Sequence, residues 1–187
     1  MASNGRVEKF RGWSNYELAV KVIENEVYVA VYFRRSVKLR KPKTMMTVDM
    51  NFDNITLAIF AHGGRMIRLK RFKTPFRKIL THRIWIERIQ KRHPRSWRFT
   101  KGIRRVIERH GDRIRNIAWD YTHKIGEKVA ELASRYDSLV VLENLNHLKE
   151  TVNGGSSFNK KLSLWFYRRT QFTVGYESLE RGRGCIR

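Results

Sequence analysis

The chain has 187 residues, 41% of them hydrophobic, which excludes a disordered protein and is enough for a domain with its own core. The formal net charge of +23, from 40 Lys and Arg against 17 Asp and Glu, predicts a polyanionic partner, nucleic acid rather than a membrane surface. The single cysteine, Cys185, excludes a disulfide framework and a zinc site of paired cysteines, and the apolar runs are far too short to span a membrane.

The N-terminal part of the chain predicts a β-hairpin. Apolar and polar residues alternate over residues 16–23 and 27–33, with ENE between them. The basic, proline-containing connector RRSVKLRKPKT follows, and this change of composition predicts a domain boundary near Lys43, with residues 1–43 as one unit and 44–187 as the next. No apolar signal-peptide core precedes the hairpin, so we expect a cytoplasmic protein.

Three strands in succession are predicted after this connector. They cover residues 45–50, 55–60 and 65–70. The sequences NFDN and HGGR separate them, and Asn, Asp and Gly are the residues that turns favour. This part of the chain therefore predicts a three-stranded antiparallel meander.

The period of the apolar residues changes after the meander. Apolar residues recur at helical spacing after Pro75, the sequence HPRSW interrupts them, and residues 113–136 carry one continuous apolar stripe. A short, wholly apolar strand is predicted over residues 139–142, of the kind found inside a sheet. A flexible Gly/Ser loop over residues 154–157 and a final helix over residues 160–179 complete the prediction.

The order of these elements predicts an α/β fold of the mixed α+β kind. A right-handed crossover brings the fourth strand of this set back parallel to the first and beside it in one sheet. We therefore predict a mixed sheet of three antiparallel strands and a parallel fourth, with long basic helices and an N-terminal β-hairpin.

Two acids occupy matching ends of the two parallel strands. Asp49 lies near the end of the first strand, in an apolar run that we expect to be buried, and Glu143 directly follows the fourth. Neighbouring carboxylates repel each other unless a cation binds between them, and hard divalent ions prefer carboxylate oxygens. The pair therefore predicts a catalytic metal site of Asp49 and Glu143 for Mg²⁺ or Mn²⁺, although a lone acid at a strand end is also typical of a turn.

Residues 75–110 form a basic helical segment in which arginine and lysine far outnumber the acids. Arginine donates two hydrogen bonds at once to a phosphate, so this bias predicts nucleic-acid binding without sequence specificity, the alternative being a solvated face. Trp97 and Phe99 could stack on unpaired bases, whereas Trp85 is expected in the core. The arginines predicted to bind nucleic acid are Arg77, Arg83, Arg88, Arg92, Arg95, Arg98, Arg104 and Arg105.

Three separated sequence blocks resemble one protein family. VDMNFDNITLAIF, DYTHKIGEKVAELASRYDSLVVLENL and LWFYRRTQFTVGYESLERG are similar, in this order, to the OrfB/TnpB-type transposase-associated proteins of small bacterial and archaeal insertion sequences. The resemblance covers residues 40–182 and implies a RuvC-like nuclease domain, a version of the RNase H-like fold. It maps the family's first catalytic Asp to Asp49 and its Glu to Glu143. It also implies an RNA-guided DNA nuclease, with DNA and a guide-like RNA as partners.

The sequence departs from the family pattern as well. Thr47 stands where a Gly commonly precedes the first Asp, and the resemblance implies that a further strand, a zinc ribbon and a third catalytic Asp belong beyond Arg187. Residues 1–43 resemble the last hairpin of a wedge-like β-domain. We therefore expect a truncated chain with an incomplete metal-dependent nuclease centre, weak Mg²⁺ or Mn²⁺ binding, no zinc and little or no activity. The alternative function is a non-catalytic basic RNA-binding or scaffold protein.

The same departures bear on the other acids and on the sheet edge. Asp120, Glu177 and Glu180 are expected to be solvated helix residues rather than substitutes for the third acid. The strand over residues 139–142 would form an exposed apolar edge, and such edges recruit other chains. A homodimer is therefore expected, through this edge or through exchange of the N-terminal hairpin.

Overall fold

The computed structural model describes residues 14–23, 26–145 and 155–186. The chain divides into two compact units between Lys38 and Leu39, whereas the sequence predicts a boundary near residue 43. Among the described helices, none combines the length and the hydropathy that a membrane span requires.

The described part of the first unit is a two-stranded hairpin. Strand β1 (Ser14–Ile23) pairs antiparallel with β2 (Glu26–Arg34), and Val20 lies opposite Val29. Valine and tyrosine are the most frequent residues of β2, and β1 carries Val20, Val22 and Ile23; these residue types favour an extended backbone. The predicted N-terminal hairpin is confirmed.

The second unit contains strands and helices in the order that the sequence predicts. Pro75 directly precedes its first helix, where the fixed φ of proline suits the first turn. Its elements are β3 (Thr44–Met50), β4 (Asn54–Phe60), β5 (Met66–Lys73), α1 (Phe76–Arg92), α2 (Lys101–Arg135), β6 (Ser138–Leu142), α3 (Gly155–Leu164), α4 (Tyr167–Glu180) and β7 (Cys185–Ile186).

These strands form one mixed sheet in the order β5-β4-β3-β6-β7. Strand β4 pairs antiparallel with both β3 and β5. Strand β6 pairs parallel with β3, so that Met46 lies opposite Val140 and Val48 lies opposite Leu142. The predicted sheet of three antiparallel strands and a parallel fourth is confirmed.

The core lies on one face of this sheet. Met46 and Val48 of β3 are buried together with Val129 of α2 and Val174 of α4. Successive side chains of a strand point to opposite faces, so Asp49 lies on the other face and is exposed. The expectation that the apolar run buries Asp49 is therefore wrong.

The structure corrects the predicted free edge of β6. Strand β7 pairs parallel with it, with Cys185 opposite Val140 and Ile186 opposite Val141. Two residues are too few to produce a periodic pattern, so the sequence does not indicate this strand. Association of two chains through the edge of β6 would therefore require β7 to be displaced.

The C-terminal helices also differ from the prediction. Residues 160–179 do not form one helix, because α3 and α4 are separate helices on either side of Trp165 and Phe166. The ring of Trp165 lies 4.9 Å from that of Phe52 and 4.8 Å from that of Tyr167, and this packing accounts for the break. Of the loop predicted over residues 154–157, residues 155–157 belong to the first turn of α3, and residue 154 lies outside the described residues.

Candidate metal centre and basic surface

Asp49 lies at the C-terminal end of β3, on the face of the sheet opposite the core. Its partner across the antiparallel pair is Thr56 of β4. The side-chain amide of Asn51 donates a hydrogen bond from Nδ2 to Oδ2 of Asp49 at 2.8 Å. One carboxylate oxygen is therefore oriented by a neighbour, while the side chain remains accessible to solvent.

Glu143 directly follows β6, whose last residue lies opposite Val48. Asp49 follows Val48 in β3, and Glu143 follows Leu142 at the end of β6, so the two acids lie side by side. Their carboxyl groups are hydrogen-bonded. The buried Gln171 of α4 donates from Nε2 to the backbone oxygen of Glu143 at 2.7 Å. The structure thus brings together the two acids that the sequence singles out, at one end of the parallel pair.

The electrostatics of this pair are those of two carboxyl groups in contact. Partial burial, the hydrogen bond with Asp49 and the negative charge of Asp49 together raise the pKa of Glu143 to about 7. Glu143 therefore keeps its proton, in the hydrogen bond to Asp49, closer to neutral pH than an isolated glutamate does. Near neutral pH the pair therefore exchanges between a protonated form and a form with two negative charges.

No third acid joins this pair in the described part of the chain. Within residues 14–23, 26–145 and 155–186, no group of three His, Cys, Asp or Glu side chains could hold a metal ion. Glu177 pairs with Arg181 at 2.7 Å and Asp120 pairs with Lys124 at 2.8 Å. Both acids are engaged on their own helices.

The donor set of the pair suits a hard divalent cation. Proteins commonly bind Mg²⁺ through one or two carboxylates, while waters and substrate phosphates complete the octahedral shell. A cation between Asp49 and Glu143 would take the place of the shared proton and relieve their repulsion. Zinc favours nitrogen and sulfur ligands, which neither residue provides.

The arginines of the basic segment lie on α1, on the turn that follows it and at the start of α2. Seven of the eight are exposed, and Arg83 is half-buried. Arg83 pairs with Glu87 at 3.0 Å and Arg104 pairs with Glu108 at 3.3 Å, so the charges of these two are partly neutralised. The other six have no carboxylate partner in the described part of the chain, and their guanidinium groups face solvent.

Aromatic side chains lie among these arginines. Arg88 lies over the ring of Trp85 at 5.4 Å, and Arg98 lies over that of Trp97 at 4.8 Å. Trp85 is half-exposed, so the expectation that it packs in the core is wrong. Cation–π contact with an arginine explains how the indole ring is accommodated at the surface.

A basic groove of about 540 Å³ extends this surface to β5. Arg77 and Lys78 of α1 line it together with Arg71 and Lys73 of β5, and Asp53 contributes one negative charge. Four cations around one groove favour a phosphate backbone, because each phosphate that they neutralise releases a counterion.

Two residues of the site are not indicated by the sequence. Asn51 stands in a turn rich in Asn and Asp, and Gln171 is one polar residue on a helix. In the structure Gln171 is buried on α4 beside Thr170 and Val174. A buried amide needs a hydrogen-bond partner, so its burial indicates that Gln171 bonds to another residue. Only the structure identifies that partner as Glu143.

Comparison with solved structures defines the class of the fold, which is RuvC-like. The chain matches a chain in the cryo-EM structure of the CRISPR-Cas12f ternary complex over 99% of its own length and 38% of that chain. The TM-score is 0.52 at 14% sequence identity, which bears on the fold alone. The predicted architecture is confirmed.

Comparison of sequences finds similarity to a TnpB-like protein. Over 168 residues the chain is 24% identical to the TnpB-like protein MJ0751 of Methanocaldococcus jannaschii, covering 89% of this chain and 60% of that protein. No protein-family model matches the chain. The sequence match and the fold together support the similarity to TnpB-type proteins that the three sequence blocks indicate.

Proposed function

We propose that this chain is a TnpB-like nucleic-acid-binding protein of the transposase family, and that it contributes Asp49 and Glu143 to a metal-dependent DNA nuclease centre. The observation that carries the proposal is the hydrogen-bonded carboxyl pair at the ends of two parallel strands in a RuvC-like sheet. Similarity to a TnpB-like protein and the basic helices support it.

In this function Asp49 and Glu143 would hold Mg²⁺ or Mn²⁺, an ion that, when bound, activates water and stabilises charge on the scissile phosphate. Glu143 must first release the proton that it shares with Asp49, because carboxyl groups bind metals in the ionised form. Asn51 would act as a positioning residue for Asp49 through Oδ2, and Gln171 for Glu143 through its backbone oxygen.

The proposed centre is incomplete within the described residues. A cation held by Asp49 and Glu143 alone must take most of its ligands from water, so its affinity is low. We therefore expect weak Mg²⁺ or Mn²⁺ binding and slow or absent cleavage by this chain.

The proposed partners are DNA and a guide-like RNA. Arginines on α1, the following turn and α2 that have no carboxylate partner among the described residues offer an extended set of phosphate contacts. The structural neighbour was solved as a ternary CRISPR complex, and we extend a nucleic-acid partner from that relationship to this chain.

The test combines Mn²⁺ binding with a nuclease assay. Mn²⁺ titration followed by electron paramagnetic resonance should give weak binding to the full chain, lost in Asp49→Asn and in Glu143→Gln and retained in Asp53→Asn. Any cleavage in Mg²⁺ or Mn²⁺ should vanish in the same two variants. Mn²⁺ binding that survives both substitutions would overturn the metal site, and nucleic-acid binding with neither metal binding nor cleavage would favour a basic RNA-binding or scaffold protein.

A further inference from the structure

A second surface with binding features lies between α2 and α4. It is a groove of about 330 Å³, at the small end of the range for ligand sites in proteins. Gly126 of α2 faces Thr173 of α4 so closely that a Cβ on the glycine would lie 2.7 Å from Cγ2 of Thr173. The groove runs alongside this close approach, and its lining includes Trp119, His123, Arg168, Arg169, Phe172 and Tyr176.

Aromatic rings are unusually exposed in this groove. Trp119 is 55% exposed and Phe172 is 68% exposed, and Tyr176 is also accessible. The ring of His123 lies 4.7 Å from that of Trp119 and supports it from one side. Rings of this size are normally buried, and exposed in a group they offer flat apolar surfaces to a ligand.

The charge of the groove is positive. The guanidinium carbon of Arg169 lies 5.1 Å from the centroid of the Trp119 ring, and that of Arg168 lies 5.9 Å from the centroid of Tyr167. Within the described residues neither arginine has a carboxylate partner, so both retain hydrogen-bond donors for a phosphate. Asp120, which follows Trp119 in the sequence, is paired with Lys124.

We propose that this groove binds an unpaired base of single-stranded nucleic acid. The base stacks on Phe172 or on the Arg169–Trp119 pair, because bases stack on aromatic rings and on guanidinium planes alike. Arg168 contacts the adjoining phosphate. This proposal rests on the proposed nucleic-acid binding. The basic segment of residues 75–110 would contact phosphates, and the groove would add a contact to a base.

The groove chemistry favours a single strand over the other occupants of a basic, aromatic surface. In a duplex the faces of the bases are already stacked on one another, so a duplex offers phosphates but no free ring. A peptide partner acidic enough to match Arg168 and Arg169 would gain little from Phe172 and Tyr176. A strand with unpaired bases satisfies both the charge and the rings.

The test compares strands that differ only in whether they carry bases. Oligothymidylate, oligouridylate and an abasic strand of equal charge, each of about 12 nucleotides, are titrated against the full chain by fluorescence anisotropy. The base-containing strands should bind more tightly than the abasic strand. Phe172→Leu combined with Trp119→Leu should reduce that advantage about 5-fold or more, since stacking of each base contributes at least this factor. Comparison of oligothymidylate with oligouridylate shows whether DNA or RNA is preferred.

Matched variants separate stacking from changes in the fold. Phe172→Tyr with Trp119→Phe keeps both rings and should retain the preference for bases, and Leu179→Ala, on α4 but outside the groove lining, should change nothing. Circular dichroism checks that each variant is folded. If the leucine variant binds thymidylate and abasic strands with the wild-type ratio, the groove does not bind bases. Replacing arginines of the basic segment should lower the affinity for all three strands equally. If the groove does not bind bases, the base-containing and abasic strands bind alike. If the chain does not bind nucleic acid at all, none of the three strands binds.

Discussion

Glu143 retains a proton close to neutral pH because Asp49 lies beside it at the end of the neighbouring strand. The pKa of Glu143 rises from 4.5 to about 7, so the folded chain binds this proton more tightly than the unfolded chain does. The resulting contribution to stability is full below pH 4.5 and is lost as the pH rises through 7, because the fold then holds two adjacent negative charges. The same charges attract a cation above that pH.

Glu143→Gln should therefore stabilise the chain at high pH and have little effect at low pH. Glutamine cannot ionise, and its amide can still donate a hydrogen bond to Asp49. Because Glu143 is largely exposed, solvent screening limits the gain to on the order of 1 kcal/mol between about pH 5 and pH 8. Urea unfolding at the two pH values measures the difference, with the exposed Glu127→Gln as a control. Equal pH dependence in the wild type and Glu143→Gln would show that the two carboxyl groups do not share a proton.

The packing of α2 on α4 depends on Gly126. A Cβ there would lie 2.7 Å from Cγ2 of Thr173 and 3.2 Å from its backbone, and the backbone cannot move aside without displacing α4. Since α4 also carries Gln171, which bonds to Glu143, displacement of this helix reaches the carboxyl pair. The contact between the two helices thus contributes to the geometry of the site.

Gly126→Ala should destabilise the chain by about 1–3 kcal/mol, as overpacking of a close contact does. Gly102→Ala, near the start of the same helix and with nothing within 4 Å of the new Cβ, should instead stabilise it by roughly 0.5–1 kcal/mol. Thermal unfolding of both variants measures the two effects. If both alanine variants shift the midpoint of thermal unfolding in the same direction, the close approach of α4 is not the reason that residue 126 is a glycine.

The elements that the sequence predicts are those with a sustained period. The alternation in β3 and β4 and the apolar stripe of residues 113–136 are clear, because one face of each element is buried. The sequence treats the basic helical segment of residues 75–110 and the striped helix of residues 113–136 as separate, whereas α2 runs without a break from Lys101 to Arg135 over 35 residues. The pairing of Asp49 with Glu143 follows from topology, since parallel neighbours end at the same edge. Asn51 and Gln171 could not be predicted, because a hydrogen bond between distant residues leaves no periodic pattern.

On the scale of the whole molecule, the net charge of +23 predicts salt-sensitive binding to DNA or RNA without sequence preference. Several phosphate contacts imply a loss of affinity of about 10³-fold between roughly 50 and 200 mM salt. Arg104 and Arg105 offer a matched test, because Arg104 is paired with Glu108 and Arg105 has no carboxylate partner in the described ranges. Arg105→Ala should reduce the slope of log affinity against log salt by about 1, and Arg104→Ala by less.

Anisotropy titrations of each variant over a salt series, with two unrelated sequences, measure these slopes. Arg88→Ala and Arg92→Ala should behave like Arg105→Ala, because both side chains are exposed. Binding that does not change with salt would mean that the basic segment is only a solvated surface.

The hairpin of β1 and β2 predicts self-association of the chain. Leu18, Val20, Val27, Val29 and Val31 are all exposed, and a two-stranded hairpin is at best marginally stable by itself. Exposed apolar surface of this extent is typical of an interaction site. Because β7 occupies the edge of β6, we expect association through the hairpin, by pairing or exchange, rather than through that edge.

Repulsion between two chains of charge +23 opposes this association, so added salt should increase it. Light scattering at low and high salt measures the mass of the particle. Val20→Lys combined with Val29→Glu should abolish the association, since these residues face each other and the new pair keeps β1 and β2 together while removing their apolar surface. Leu69→Lys, on the outer strand β5, should leave it unchanged. A monomer at every salt concentration would contradict the prediction, and a dimer that depends on Leu69 would move the interface to the opposite edge of the sheet.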